Sequence, residues 1–130
     1  MILTMAYRVS KARFGELVQE ALAAVPEPFA RFLEEVSVEV RDRPSPAQIR
    51  SLRIGRDGLL LGLYQGRPLT ERSVDDSGRM PDVIHIFQES IEAVSHNEHG
   101  LIDQVRKTVL HEIGHHFGMS EQDLEELGYG

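Results

Sequence analysis

Apolar residues recur at helical spacing near the start of the chain, at Phe14, Leu17, Val18, Ala21, Leu22 and Val25. That is the i, i+3, i+4 pattern of a helix with one buried face. Ser10 stands where an N-cap belongs, and Pro26 lies just beyond the end. Val36, Val38 and Val40 alternate with Ser37, Glu39 and Arg41, the period of a half-buried strand. Pro44-Ser45-Pro46 then enforces an irregular connection. A second strand is predicted over residues 59–65, closed by Gly66 and Pro68, and a third, more apolar, over residues 82–88. Between them residues 68–81 are polar, with Asp75-Asp76-Ser77-Gly78 at the centre, and read as an exposed loop. Residues 101–117 return to strong helical periodicity, and residues 122–127 suit one last short helix. One helix, about three strands and one helix in that order predict an α+β fold with a small sheet packed on helices. With no repeat and no low-complexity tract, residues 1–130 are read as a single domain.

Composition narrows the function classes. The 130 residues are 41% hydrophobic and 27% charged, and 14 Lys and Arg against 21 Asp and Glu leave a net charge of −7. The charge is uneven. Residues 1–56 hold nine basic and seven acidic groups, residues 57–130 five and fourteen, and no Lys or Arg follows Lys107. A nucleic-acid partner would need a basic face, so none is expected. No stretch nears the ~20 apolar residues that span a bilayer; the run 59–64 is interrupted by Gly62. The N-terminus lacks a basic segment followed by an apolar core, so no membrane association and a cytoplasmic location are expected. Zero cysteines exclude disulfides, Fe–S clusters, thiolate zinc sites and Cys nucleophiles. Any metal chemistry must use His and carboxylate.

Those residue types gather in His111-Glu112-Ile113-Gly114-His115-His116-Phe117-Gly118-Met119-Ser120-Glu121. Residues four apart on a helix project from one face, so His111 and His115 can both face one zinc ion (Zn2+), the spacing of His-Glu-x-x-His proteases. Glu112, about 100° round from His111, flanks the site and is the candidate catalytic base. With Leu101 at zero, the apolar positions 101, 102, 105, 109, 110, 113 and 117 fill an arc of about 180°, while His111 and His115 fall outside it near 280° and 320°. His116 lies within the apolar arc and reads as a structural histidine. Gly118 suits a left-handed helix stop, after which Glu121 completes His-Glu-x-x-His-x-x-Gly-x-x-Glu and is the candidate third metal ligand. Asp123 is the fallback, ahead of Glu125 and Glu126.

The run Thr108 to Gly118, with Glu121 and the Leu127-Gly128 ending, resembles the zincin metallopeptidases, and more closely a family of short bacterial zincin-like proteins. The resemblance covers roughly the last fifty residues. It implies a minimal zincin fold, a small twisted mixed sheet packed on an N-terminal helix and a C-terminal active-site helix. It also implies zinc at His111 and His115, with Glu112 as general base. Related zincins place Asp where Glu121 stands, and metzincins a third His with a downstream Met-turn that is absent here. The expected activity is zinc-dependent hydrolysis of peptide bonds in a peptide or protein substrate. The alternative is a catalytically weak or inactive zinc-binding interaction module, and last a metal-free structural domain. In zincins the substrate pairs with an edge strand beside the active-site helix; residues 82–88 are the candidate edge, with an ordinary core strand as the competing reading. His85 is read as structural, His96 and His99 as surface-loop residues, and Tyr129 as frayed.

Overall fold

The computed structural model describes residues 6–27, 29–51, 60–66, 82–116 and 118–126, with backbone alone at residues 51, 115, 116 and 121. The amphipathic N-terminal segment forms α1 (Lys11–Ala23), and the Ser10 hydroxyl caps it by accepting from the Arg13 N–H. Phe14, Leu17, Val18 and Ala21 are its buried stripe, as the periodicity predicts. A four-residue α2 (Phe29–Phe32) and β1 (Val36–Arg41) follow. The proline-rich connection does not stay irregular; it runs into α3 (Pro46–Ser51). Ser45 and Gln48 close a reciprocal capping box there, Gln48 N–H to Ser45 Oγ at 3.1 Å and Ser45 N–H to Gln48 Oε1 at 2.9 Å, and Pro46 takes the first helical position, where its missing N–H costs nothing.

β2 (Gly62–Gln65) and β3 (Asp82–Phe87) complete a three-stranded sheet in the order β1-β3-β2. β1 runs parallel to β3, Val38 opposite Ile84, and β2 runs antiparallel to it, Tyr64 opposite Ile84. The sheet is mixed and small, and the fold is α+β, as expected. One expectation is overturned. Residues 82–88 are not the sheet edge: β3 is the central strand, hydrogen-bonded on both sides. Its near-continuous apolar run, Val83, Ile84, Ile86 and Phe87, is the composition of a strand enclosed by neighbours.

β3 passes directly into α4 (Gln88–Ala93). This helix buries polar side chains, Gln88 and Glu92. They grip the incoming N-terminal segment: Val9 N–H donates to Glu92 (3.0 Å), and the Gln88 amide donates to the Val9 carbonyl and to Glu92 (both 3.1 Å). Then come the long α5 (Glu98–His116) and the short α6 (Glu121–Glu126). α5 packs on α1 and across the sheet face made by β2 and β3. Leu101, Val105, Val109, Leu110 and Ile113 of α5 join Ile84, Ile86 and the α1 stripe in one core. No helix among the described residues is long and apolar enough to cross a membrane. The loop expected over residues 68–81, and Tyr129, lie outside the described residues.

Candidate functional site

α5 begins one turn before the periodicity suggested, because Asn97 caps it, its side-chain oxygen accepting from the Gly100 N–H at 2.7 Å. The helix runs unbroken to His116, so positions 111 and 115 lie on consecutive turns of one face. Gly118 stops it with φ at 81°, a left-handed value that costs a residue with a Cβ. The Met119 N–H reaches back to the Gly114 carbonyl at 2.9 Å, the bond that closes a Schellman turn. The chain is thereby folded back alongside α5.

Gly114 has a tertiary role. A Cβ there would overlap the δ-carbons of Leu124, which is fully buried. The bare glycine lets α6 lie directly on the motif helix, and position 121 falls one turn before Leu124 in α6. Asp123 has other work. Its carboxylate accepts from the Ser120 N–H (3.0 Å) while the Ser120 hydroxyl accepts from the Asp123 N–H (3.1 Å). The Ser120 backbone N–H foremost, and then the Ser120 hydroxyl, hold the Asp123 carboxyl below its ordinary value. It is the exposed partner, three residues on, of a capping box whose N-cap is Ser120.

On the other flank of the helix stands the sheet edge. The Phe87 N–H donates to the Leu61 carbonyl at 3.0 Å, so in the alternation of an antiparallel ladder Gly62 and Tyr64 turn their backbone groups away from β3. Among the described residues no strand pairs there. Glu112 does reach it: the Tyr64 N–H donates to the Glu112 carboxylate at 2.9 Å. The Tyr64 ring is held by its hydroxyl donating to Asp82 (2.7 Å) and by stacking on Phe32. Helix and edge are in contact at Gly62, where a Cβ would come within 2.6 Å of the Thr108 methyl and 3.1 Å of the His85 carbonyl. Beside this contact opens a cleft of about 340 Å³, walled by Leu60, Leu61 and Gly62 on the strand side and by Gln104, Lys107 and Thr108 on α5. His111 and Glu112, both half-buried, border its other end.

The structure thus places His111 and Glu112 together at the edge of β2, His115 one turn on along the same helix, and Glu121 at the start of the helix packed against it. The side chains of His115, His116 and Glu121 lie outside the described residues; among those that are described, no three His, Asp or Glu groups are placed to hold a metal ion. The donor types fit zinc: two imidazoles four residues apart and a carboxylate on the adjoining helix. His85 sits on the sheet face away from α5, since Ile84 and Ile86 on either side of it point into the core. There it hydrogen-bonds the Gln48 amide at 3.0 Å, and burial foremost, then Arg41, holds its pKa below the ordinary histidine value. His96 and His99 are exposed. Sequence reasoning missed the Tyr64 N–H and the Gly62–Thr108 contact. Both are backbone or close-approach features, and the lone glycine within the apolar run 59–64 was their only mark.

The family model described as zincin-like metallopeptidase matches residues 33–130, from the turn before β1 through the end of the chain. No curated protein matches.

Proposed function

The chain belongs to the zincin-like metallopeptidase family, and we propose that it hydrolyses peptide bonds at the site where α5 meets the edge of β2. The observation that carries the reading is the bond from the Tyr64 N–H to Glu112. It joins the candidate base, one residue from His111, to the backbone edge on which an extended peptide would add a strand. The edge belongs to β2, with Gly62 as the pairing residue and the Tyr64 N–H holding Glu112 beside it.

His111, His115 and Glu121 would hold a zinc ion. When bound, zinc supplies the Lewis acidity that makes water a nucleophile near neutral pH and polarises the scissile carbonyl. Glu112 accepts the proton of the attacking water and delivers it to the departing amine. The Gly62 backbone groups, on the edge that turns away from β3, hold the substrate extended, so the peptide enters the reaction already positioned. The close packing of α5 on β2 at Gly62 sets the distance between base and substrate. The preference for Glu121 over Asp123 as third ligand is supported by the Leu124–Gly114 contact and by the engagement of Asp123 in the cap.

The test pairs metal content with turnover. The purified chain is expected to bind one zinc per molecule and to cleave members of a broad peptide library. Glu112→Gln should retain the zinc and lose at least 100-fold in kcat, the scale on which a general base contributes. Equal cleavage by wild type and variant would refute the reading. Zinc binding with peptide capture but no cleavage by either would favour the interaction module.

A further inference from the structure

Resting on the peptidase reading above, the geometry points to a subsite for a substrate carboxylate in the cleft beside Glu112, with Lys107 as the residue that selects it. The cleft is chemically two-ended. His111 and Glu112 stand at one end, Lys107 and the Gln104 amide at the other, and Leu60, Leu61 and Thr108 lie between them. Positions 104, 107, 108 and 111 follow helical spacing, so the cleft runs along one face of α5. At 1.5 Å per residue, Lys107 sits about 6 Å along the helix from His111. That span matches one amino-acid side chain. The group recognised therefore belongs to a residue adjoining the bond that is cut.

The charge at Lys107 is available to a ligand. Its ammonium lies 3.4 Å from Asp103, but the same carboxylate bonds Arg106 at 2.6 Å. Two cations share one carboxylate, which leaves positive charge at the cleft. The lysine and Asp103 are both more than a third exposed, so solvent weakens their pairing and the flexible ammonium is able to turn to a second carboxylate. Lys107 is also the last cation in a half of the chain with fourteen acids. An acidic substrate would be repelled along most of that half and attracted here.

Two sources offer the same chemistry: an Asp or Glu side chain next to the scissile bond, or the free C-terminal carboxylate of a short substrate. Four otherwise identical fluorescent peptides separate them. Three are acetylated and amidated with Glu, Gln or Lys at the variable position, and the fourth carries Gln with a free C-terminal carboxylate. Binding to the zinc-loaded Glu112→Gln chain is read by anisotropy, and kcat/KM is read on wild type. The Glu peptide should exceed the Gln peptide by about tenfold if the side chain is the ligand; the free-carboxylate peptide should do so if the terminus is. Lys107→Glu should reverse the order in favour of the Lys peptide, and Lys107→Met should level it, with melting curves confirming that each variant is folded. Equal binding of all four peptides, or an acidic preference that survives both substitutions, overturns the subsite. An acidic preference in binding that Lys107→Glu reverses, with no peptide cleaved by wild type, upholds the subsite and defeats the peptidase reading.

Discussion

Glu121 and Asp123 are two residues apart and chemically alike, yet their surroundings separate them. Asp123 closes a cap with Ser120, whereas Glu121 begins the helix whose Leu124 seats on Gly114. Asp123→Ala removes one half of the capping box while Ser120 keeps the other, so it should cost up to about 1 kcal/mol of stability and leave zinc affinity within a few-fold. Glu121→Ala should lower zinc affinity by at least tenfold with a smaller stability change in the apo chain. Competition titration against a chromophoric chelator, alongside apo melting curves, reads both; the opposite ranking would make Asp123 the ligand. His85 sets a second residue-scale expectation. Burial depresses its pKa in the folded chain below the ordinary 6.5, with Glu39 opposing. The unfolded chain therefore takes up the proton more readily, and stability rises with pH across that interval. The contribution is complete above pH 6.5 and is lost as pH falls below it. Melting temperatures compared between pH 7.5 and 5.5 should fall less in His85→Gln than in wild type.

At the scale of elements, the site depends on two places where a side chain seats directly on a glycine backbone. Gly62 brings the edge strand onto Thr108, and Gly114 brings α6 onto the motif helix. Neither glycine is needed for its dihedral angles; each is needed for what stands opposite. Gly62→Ala should destabilise by about 1–3 kcal/mol, the usual cost of overpacking, and should reduce any peptidase activity by moving the strand edge away from Glu112. Thr108→Ser removes the methyl that the new Cβ meets, so the double variant should regain part of the stability in urea unfolding. A single Gly62→Ala as stable as wild type would show that strand and helix are not in contact there. Helix boundaries belong to this scale too. Ser10, Asn97 and the Ser45–Gln48 box each satisfy N–H groups that a helix start leaves open, and Gly118 ends α5 where the motif needs the chain to turn.

For the molecule as a whole, the uneven charge acquires a physical consequence. Glu112, Glu121, Asp123, Glu125 and Glu126 crowd the last nineteen residues, with no Lys or Arg among them. A divalent ion bound at His111, His115 and Glu121 would offset part of that repulsion and join α5 to α6. Binding to the folded chain alone stabilises it, by about 2.7 kcal/mol at a hundred times Kd. Zinc should therefore raise the melting temperature by on the order of 10 °C for a chain of this size, and a chelator should reverse it. The increment should be larger in dilute salt, where the acidic segment is least screened. A melting temperature indifferent to zinc would argue against metal-linked folding.

Period, caps and motif are local properties, which is why α1, β1, α5 and the His111-Glu112-x-x-His115 spacing could be read from residue order alone. A buried stripe every 3.6 residues or an alternation of two announces its element before anything is folded. The shorter α2, α3 and α4 escaped because one or two turns carry too little period, and α4 buries Gln88, Ser90 and Glu92 beside a single apolar residue, Ile91; the Ser45-Pro46-x-Gln48 box was a legible signal for α3 that the flanking prolines masked. Strand order was not legible at all. Which of two apolar strands ends up in the middle is decided by pairing across the sheet, and β3 took the centre while β2 became the edge. Tertiary contact likewise decided that Glu112 meets the Tyr64 N–H, that Gly114 receives Leu124, and that Lys107 borders the cleft shared with His111. Sequence by itself determined the longer elements and the spacing of the motif because both depend on near neighbours. The fold decided which strand edge stands beside that chemistry, because Tyr64 with Glu112 and Gly62 with Thr108 are meetings between residues more than forty positions apart.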